Sequence, residues 1–206
     1  MFNDVVIAEL KNRVRSLMSE RRYKHTIGVA GMAYVLGTFL LPAKKRELYI
    51  AGLLHDITKE MDFDKQIELI NEGGYSLTDE DLNCKAALHS LSGAELVKLN
   101  FKEFATTEIV SAIECHTLGN SDMSLFSKII FIADFIEFGR EYPSSIETRK
   151  TLFRELNDAN NENERVKALN RAVYMSLNLT SRHLNSINKL VHSRSIEAKN
   201  AILPLI

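Results

Sequence analysis

The sequence predicts an all-α protein built as a single bundle of helices. Apolar residues recur at helical spacing through most of the chain, and no stretch alternates apolar and polar residues for long enough to predict a strand. Three prolines and nine glycines are too few for an all-β protein full of tight turns or for a long linker. Because no segment repeats itself or is low in complexity, we expect one domain covering residues 1–206.

Three helices are predicted in the first third of the chain. The first covers residues 4–20, where apolar residues recur at helical spacing: Val6, Leu10, Val14 and Leu17. The second covers about 22–41 and contains most of a segment without any charge, Thr26 to Ala43. Pro42 separates it from a third helix over about 43–57, because proline is poorly tolerated inside a helix.

The uncharged segment, TIGVAGMAYVLGTFLLPA, reaches the lower limit of length for a membrane span. Three glycines, two threonines and a tyrosine dilute its hydrophobicity, and the other predicted helices are amphipathic enough to cover it. We therefore interpret it as a central buried helix. Gly28 and Gly31 are then expected at points where another helix packs closely.

Three further helices are predicted in the middle of the chain. Asp62 should cap a short helix that ends at the glycines of 73–74, and the next helix should run over 86–99. Thr107 is expected to cap a helix over 108–116.

A loop containing Gly119 should precede the remaining helices. A strongly apolar helix is predicted from Ser124 to Phe138, and Pro143 keeps it from extending. The tail is predicted to form three more helices, over 145–159, 163–192 and 195–203.

Charge and cysteine content exclude several classes of protein. A formal net charge of −1 and an isoelectric point near 6.6 give no electrostatic basis for binding nucleic acid or an anionic membrane. Cys84 and Cys115 are too few for a disulfide framework, and the N-terminus MFNDVVIAELKNR lacks the apolar core of a signal peptide. We expect a cytoplasmic protein with no nucleic-acid or membrane partner.

Several histidines and aspartates stand against apolar sequence. They are His25, His55, Asp56, His89, His116 and Asp134. Asp134 is the most informative, because it interrupts the apolar run IIFIADFI within a predicted helix, and a carboxylate buried there must be paired, protonated or bound to a metal. Taken one at a time, each residue is also explained as a capping or hydrogen-bonded core residue, and we interpret His183 and His192 in that way.

Taken together, these residues indicate a metal site. A helical bundle builds such a site from side chains that project inward from facing helices. His55 and Asp56 are neighbours about 100° apart on a helix, so they can share an ion only near the helix end, where the backbone leaves it. A nitrogen and oxygen ligand set suits iron, manganese, zinc, cobalt or nickel. A zinc site on Cys84 and Cys115 is the alternative, but closely spaced cysteine or histidine pairs are missing.

The order His25, His55-Asp56, Asp134 on helices resembles the HD superfamily of metal-dependent phosphohydrolases. The surrounding blocks resemble the YqeK family within it: AGLLHDITKEM (51–61), ALHSLSGAEL (87–96), AIECHTLGNSDMSLFSKIIFIADFIEFGRE (112–141) and SIEAKNAIL (195–203). The similarity runs from about Arg22 to Leu203. It implies a single HD-type bundle with its HD core at about 22–140 and C-terminal helices at about 145–203. It also implies symmetrical hydrolysis of diadenosine tetraphosphate into two ADP.

The resemblance implies roles for individual residues. By matching position, the ligands of an iron ion are His25, His55, Asp56 and Asp134. The implied catalytic residues are Asp56, Lys59, His89 and His116. The implied substrate-binding residues are His25, Lys59, His89, His116, Thr117 and Arg140. The chain departs from the family at Phe138, where proline is usual, and at Phe126-Ser127, where Leu-Asp is usual. Both departures lie outside the implied ligands and bear on substrate preference.

Water is the expected nucleophile, because the sequence contains neither a Gly-x-Ser-x-Gly elbow nor a glycine-rich phosphate loop. A metal ion lowers the pKa of bound water from about 15.7 to about 7. Lys59 and Arg140 are expected to stabilise charge on the phosphates, although each could instead form an ordinary ion pair with a nearby glutamate or aspartate. His89 and His116 could bind a second metal ion or contact phosphate.

Three hypotheses for function follow. The first is a metal-dependent hydrolase of dinucleoside tetraphosphates, with a nucleoside diphosphate such as ADP or GDP as product. The second is an HD nucleotidase or phosphodiesterase that acts on another nucleotide. The third is a non-enzymatic helical regulatory module with a structural ion, which would have a closed coordination shell. A homodimer is left open.

Overall fold

The computed structural model describes residues 2–206 and confirms the all-α prediction, since every regular element within that range is a helix. The α-helices are α1 (Asp4–Arg15), α2 (Glu20–Leu40), α3 (Lys45–Leu54), α4 (Phe63–Glu72), α5 (Asp79–Asn83), α6 (Leu88–Asn100), α7 (Thr107–Cys115), α8 (Leu125–Ile136), α9 (Pro143–Asp158), α10 (Glu162–Ser186) and α11 (Ser193–Ile202). Short 3-10 turns cover Pro42–Lys44, Lys85–Ala87, Lys102–Phe104 and Leu203–Leu205.

The first predicted helix is shorter than expected because a second cap interrupts it. The Ser19 side chain accepts a hydrogen bond from the backbone of the following turn and starts α2 at the next residue. Glu60 reinforces this cap, because its carboxylate accepts hydrogen bonds from the backbone N–H and the hydroxyl of Ser19 at 2.6 and 2.8 Å. The helix predicted over 4–20 therefore ends at Arg15.

Two other predicted boundaries are wrong for a similar reason. Thr106, rather than Thr107, caps α7 through its hydroxyl oxygen. The helix predicted over 163–192 ends before its last residues, because His192 caps α11 instead. The other ring nitrogen of His192 lies 3.2 Å from Oδ1 of Asp81, which ties the start of α11 to the short helix α5. This five-residue helix was not predicted.

The third helix ends at Leu54, and residues 55–60 form turns instead of continuing the helix to 57 as predicted. Thr58 holds these turns against α6, because its hydroxyl donates to the backbone carbonyl of His89 at 2.8 Å and lies 2.8 Å from Oγ of Ser92. The backbone therefore leaves the helix where the His-Asp pair lies, as the sequence predicted.

α2 is the central helix and packs against α1, α3, α8 and α10. Its closest approach is to α3, where a Cβ built on Gly52 would lie 2.6 Å from Cα of Ala30. The prediction of close packing holds at Gly28, which faces a side chain at the end of α8, but not at Gly31, which has no such atom within 4 Å. Within residues 2–206, no helix has both the length and the apolar character needed to cross a bilayer.

Two apolar clusters hold the helices together. The larger cluster takes buried residues from α1, α2, α3, α6, α7, α8, α9, α10 and α11. The smaller cluster, formed by Ile70, Leu88 and Leu91, fixes α4 on α6. Because these side chains are almost fully excluded from water, they hold the first half of α2, the start of α6 and the ends of α3, α7 and α8 around one buried region.

Candidate metal centre

The carboxylate of Asp56 lies at the centre of a buried cluster of polar side chains. Its Oδ2 atom accepts a hydrogen bond from Nη1 of Arg22 at 2.7 Å. Nε2 of His55 lies 3.4 Å from the same oxygen, and Nε2 of His25 lies 3.7 Å from it. This side of the cluster is therefore formed by α2 and by the turn that follows α3.

The other oxygen of Asp56 faces α6 and the end of α7. Nε2 of His89 lies 3.2 Å from Oδ1, and Nε2 of His116 lies 3.6 Å from it. The two Nε2 atoms are 3.1 Å apart. One buried carboxylate thus faces two pairs of imidazoles, one pair on each oxygen.

Asp134 completes the cluster from α8. Its Oδ1 atom lies 3.0 Å from Nε2 of His25 and 4.0 Å from Nε2 of His55. Arg140 holds this carboxylate, because its Nη2 donates to Oδ1 at 2.7 Å and its Nε donates to the backbone carbonyl of Asp134 at 3.1 Å. The structure thus brings together His25, His55, Asp56 and Asp134, the four residues predicted as metal ligands.

The orientation of the imidazoles suits metal binding. Three of them donate from Nδ1 to the backbone carbonyl three residues earlier: His55 to Gly52 at 2.7 Å, His89 to Ala86 at 2.8 Å and His116 to Ile113 at 2.7 Å. A carbonyl oxygen can only accept, so Nδ1 carries the hydrogen and, in the neutral ring, Nε2 carries a lone pair. This arrangement orients metal-binding histidines in many proteins.

Two buried nitrogen atoms test whether the cluster fits a metal. Nε2 of His25 and Nε2 of His55 are excluded from water and have no hydrogen-bond partner. Two sets of side chains each place their ligand atoms within 4.8 Å of one another: His25, His55 and Asp134, and His55, Asp56 and His116. The lone pair on Nε2 of neutral His55 faces two carboxylates, and a bound cation would relieve this unfavourable arrangement, so the residues fit a metal ion.

Electrostatics keep both carboxylates ionised. Burial raises the pKa of Asp134, but the His25 ring 3.0 Å away and nearby positive charge lower it by more, so the net pKa is well below the ordinary value. The pKa of Asp56 is lowered in the same sense, because nearby imidazoles outweigh its burial. Burial lowers the pKa of His25, but the adjacent carboxylate of Asp134 and the hydrogen bond to Glu137 raise it to about 9 in the metal-free protein. The pKa of His89 shifts in the opposite direction, because burial lowers it to about 4.

Four of the residues predicted around the phosphates, Lys59, His89, His116 and Thr117, lie on the Oδ1 side of Asp56, whereas His25 and Arg140 contact Asp134. Nζ of Lys59 lies 3.1 and 3.2 Å from the two ring nitrogens of His89, and burial lowers its pKa. Oγ1 of Thr117 lies 3.0 Å from Nε2 of His89 and 3.1 Å from Nε2 of His116. Lys59 therefore faces the cluster instead of pairing with a neighbouring carboxylate in the sequence.

Two residues of the cluster were missed in the sequence. Arg22 binds Asp56, and Oε1 of Glu137 lies 3.2 Å from Nδ1 of His25. A signal for both was present in the spacing. Arg22 lies three residues before His25 and Glu137 lies three residues after Asp134, so each is close to one helical turn from a predicted ligand and on the same face. Neither of the two groups of side chains within residues 2–206 that could hold a metal ion contains a cysteine, as the zinc alternative would require.

A cavity of about 610 Å³ opens beside the cluster, between α8, α9 and α10. Its border with the cluster is formed by His116, Thr117, Asp134 and Arg140. Its other lining residues include Phe131, Phe135, Tyr142, Ser176, Leu179, Thr180 and His183. A polar, charged mouth thus leads to aromatic and aliphatic walls, and His183, which the sequence suggested to be structural, lies in the lining.

Comparisons with known proteins agree with this geometry. Residues 22–139 match the model of the HD domain. A protein of Halalkalibacterium halodurans is 34% identical over 148 residues, which are 71% of this chain and 76% of that protein. A protein of Bacillus subtilis is 33% identical over 147 residues, which are 71% and 77% of the two chains. Both are named symmetrical bis(5'-nucleosyl)-tetraphosphatase.

The fold has a solved counterpart. A crystal structure from Clostridium acetobutylicum, described as a predicted HD superfamily hydrolase involved in NAD metabolism, superimposes with a TM-score of 0.83 at 32% identity. The match covers 99% of this chain and 98% of the other. The agreement therefore includes the C-terminal helices as well as the segment matched by the domain model.

Proposed function

This chain belongs to the HD domain family, and from that premise we propose that it is a metal-dependent hydrolase of dinucleoside tetraphosphates. It would cleave diadenosine tetraphosphate symmetrically into two ADP. The observation that carries the proposal is the pair of buried, unpartnered Nε2 atoms that face Asp56 and Asp134. The sequence supports the same activity, because the chain is about one third identical to two proteins named for it.

The residues that would hold the ion are His25, His55, Asp56 and Asp134. Iron is our proposal for the metal, and manganese, cobalt, nickel and zinc are the alternatives that the same ligand atoms allow. When bound, the ion supplies Lewis-acid activation of water and of a phosphoryl oxygen. Arg22 and Arg140 would keep the two carboxylates in place, because each donates a hydrogen bond of 2.7 Å to one of them.

Lys59 and Arg140 would bind the phosphates. Hydrolysis of a phosphoanhydride develops negative charge on bridging and equatorial oxygens, and fixed cations beside those oxygens stabilise the transition state. Burial lowers the pKa of Lys59, so its ammonium group gives up a proton more readily than that of an exposed lysine. Thr117, at the border of the cavity, can donate its hydroxyl hydrogen to a phosphate oxygen.

The cavity between α8, α9 and α10 would receive one nucleoside of the substrate. A volume of about 610 Å³ falls within the range of small-molecule sites. Phe131, Phe135 and Tyr142 offer aromatic surface against which a base can pack, and the charged mouth at Arg140 suits the phosphates that follow the nucleoside.

His89 and His116 have two proposed roles, which the number of bound ions separates. In the role that we favour, they line the phosphate site beside a single ion, with their Nε2 atoms 3.2 and 3.6 Å from Oδ1 of Asp56. In the other, they would hold a second ion together with Asp56. Metal analysis of anaerobically purified protein should give one ion per chain. A value of two would replace the first role by the second.

Product analysis tests the function itself. Anaerobically purified protein loaded with Fe²⁺ should convert diadenosine tetraphosphate to ADP alone, and Asp134→Asn, which weakens a proposed ligand, should lose both metal and turnover. AMP and ATP as products would mean asymmetrical cleavage. A fully loaded protein that turns over other nucleotides, or no nucleotide, would refute the proposed substrate.

A further inference from the structure

His25 is held differently from the other imidazoles of the cluster. His55, His89 and His116 each donate from Nδ1 to a backbone carbonyl of their own segment. His25 lies inside α2, and its Nδ1 instead contacts a side chain from the other end of the HD core, Oε1 of Glu137 at 3.2 Å. The orientation of this one ring therefore depends on a tertiary contact.

Glu137 is itself fixed on all sides. It follows the last residue of α8 in an extended conformation, with φ −55° and ψ 154°. Its Oε2 accepts a hydrogen bond from the backbone N–H of Gly139, and its backbone carbonyl accepts hydrogen bonds from Nη1 of Arg149 at 2.8 Å and from the backbone N–H of Arg140 at 2.9 Å. The side chain is only 5% exposed. A buried carboxylate with this many contacts has little freedom to move.

Gly28 makes room for this carboxylate. It lies three residues after His25 on α2, and a Cβ built on it would lie 2.5 Å from Oε2 of Glu137. Such a contact is too short for any real side chain, so an alanine at this position would displace the Glu137 carboxylate. Gly31 lies one turn further along the same helix, and a Cβ built there meets no such atom within 4 Å.

From this geometry we infer that Glu137 is a positioning residue that sets the orientation of His25, and that Gly28 provides the space it requires. The inference rests on the proposed metal role of the cluster. With Glu137 in place, Nδ1 is occupied and Nε2 points to Asp134 at 3.0 Å. Without it, the ring loses the partner that fixes its rotation, and a ring rotated by half a turn would present the wrong nitrogen.

The test measures metal binding rather than turnover. The full-length chain and its variants are freed of metal, and the dissociation constant for Co²⁺ is measured by competition with a chelator, together with the visible absorption of bound Co²⁺. Glu137→Ala should weaken Co²⁺ binding about 10- to 100-fold, the usual effect of losing the outer partner of a metal-binding histidine, and should alter the absorption bands. Gly28→Ala should do the same without removing the carboxylate.

Gly31→Ala is the matched control and should bind Co²⁺ like the natural protein. Circular dichroism and thermal unfolding of the metal-free variants separate misfolding from a loss of orientation, because a residue that only stabilised the fold would leave the affinity of the folded protein unchanged. Glu137→Gln keeps one acceptor oxygen for Nδ1 and should lose less affinity than Glu137→Ala.

Two results would overturn the inference: natural affinity in folded Glu137→Ala, or equal losses in Gly28→Ala and Gly31→Ala. Asp134→Asn distinguishes this failure from failure of the proposed function. If Asp134→Asn also binds Co²⁺ normally, the cluster does not hold the ion and the proposed function fails. If Asp134→Asn loses the ion while Glu137→Ala keeps it, only the positioning role is refuted.

Discussion

Lys59 lies in the turns that follow α3, and its side chain enters the buried cluster. Its ammonium group lies against the ring of His89 and 3.3 Å from the carbonyl of Ala86, inside the cluster. The carboxylate next to it in the sequence, Glu60, points the other way and caps α2 through Ser19. Adjacent residues thus serve different elements, which explains why the expected surface ion pair is absent.

Lys59→Met should slow hydrolysis and leave the metal bound. Removing one buried cationic donor that faces developing charge typically costs about a hundredfold to a thousandfold in kcat. The measurement is steady-state turnover together with metal content per chain. Lys65→Met, which alters an exposed lysine on α4, is the matched control and should be unaffected. Loss of metal from Lys59→Met would show that the residue supports the ligands and not the phosphates.

The stability of the metal-free protein should depend on pH through His25, and the raised pKa of this residue gives the direction. The pKa of His25 rises from an ordinary 6.5 to about 9, so the stability from this group is fully present below pH 6.5 and is lost as the pH rises through 9. Metal binding needs the deprotonated ring, so Co²⁺ affinity should increase as the pH approaches 9.

Both trends can be measured as differences between the natural protein and His25→Gln, which cannot titrate at this position. The unfolding temperature of the metal-free natural protein should approach that of His25→Gln as the pH rises from 6.5 to 9. Parallel curves for the two proteins would show that His25 is not protonated in the metal-free state.

At the scale of single residues, the sequence predicts the ligands better than their supports. Asp134 and His55-Asp56 are conspicuous because a charged or polar group interrupts an apolar run. Arg22 lies in polar sequence near the start of α2, and Glu137 directly follows the last residue of α8, and charged residues are common at the ends of helices. Only the packing of α2 against α8 shows that both face inward, and periodicity alone contains no information on which helices meet.

At the scale of elements, the contact between α2 and α3 depends on Gly52. Gly52→Ala should destabilise the protein by about 1–3 kcal/mol, because its methyl group would overlap the backbone of Ala30 and force the two helices apart. Thermal unfolding should show a midpoint several degrees lower. Gly31→Ala should leave the midpoint unchanged or raise it, since alanine favours a helix by about 1 kcal/mol over glycine. An unchanged midpoint in Gly52→Ala would contradict the close approach.

Helix existence is predicted more reliably than helix bounds. Each long predicted helix has a counterpart, because its apolar period reflects burial in one core. The ends differ where a tertiary contact selects one of several capping residues, as when Asp81 holds His192 at the start of α11. The short helix α5 has too few residues for a period, and its capping box, Thr78 with Asp81, is the only local signal.

At the scale of the whole molecule, a bound ion should stabilise the fold. A ligand that binds only the folded chain adds about 2.7 kcal/mol at a concentration one hundred times its dissociation constant. Treatment with a chelator should therefore lower the unfolding temperature of the natural protein, and readdition of Fe²⁺ or Co²⁺ should restore it. Asp134→Asn should show little dependence on metal. If the natural protein unfolds at the same temperature with and without metal, the ion does not bind the folded state preferentially.

The side chains of the cluster also span much of the chain. The imidazole of His25 and the carboxylate of Asp134 are 3.0 Å apart in space, although more than half of the polypeptide lies between them in the sequence. Bringing such distant segments together has an entropic cost that nearby contacts must first offset, so we expect α8 to dock on α2 late in folding. An ion that requires both residues would bind tightly only to chains that have finished folding. The metal content per chain would then measure the fraction of correctly folded molecules in a preparation.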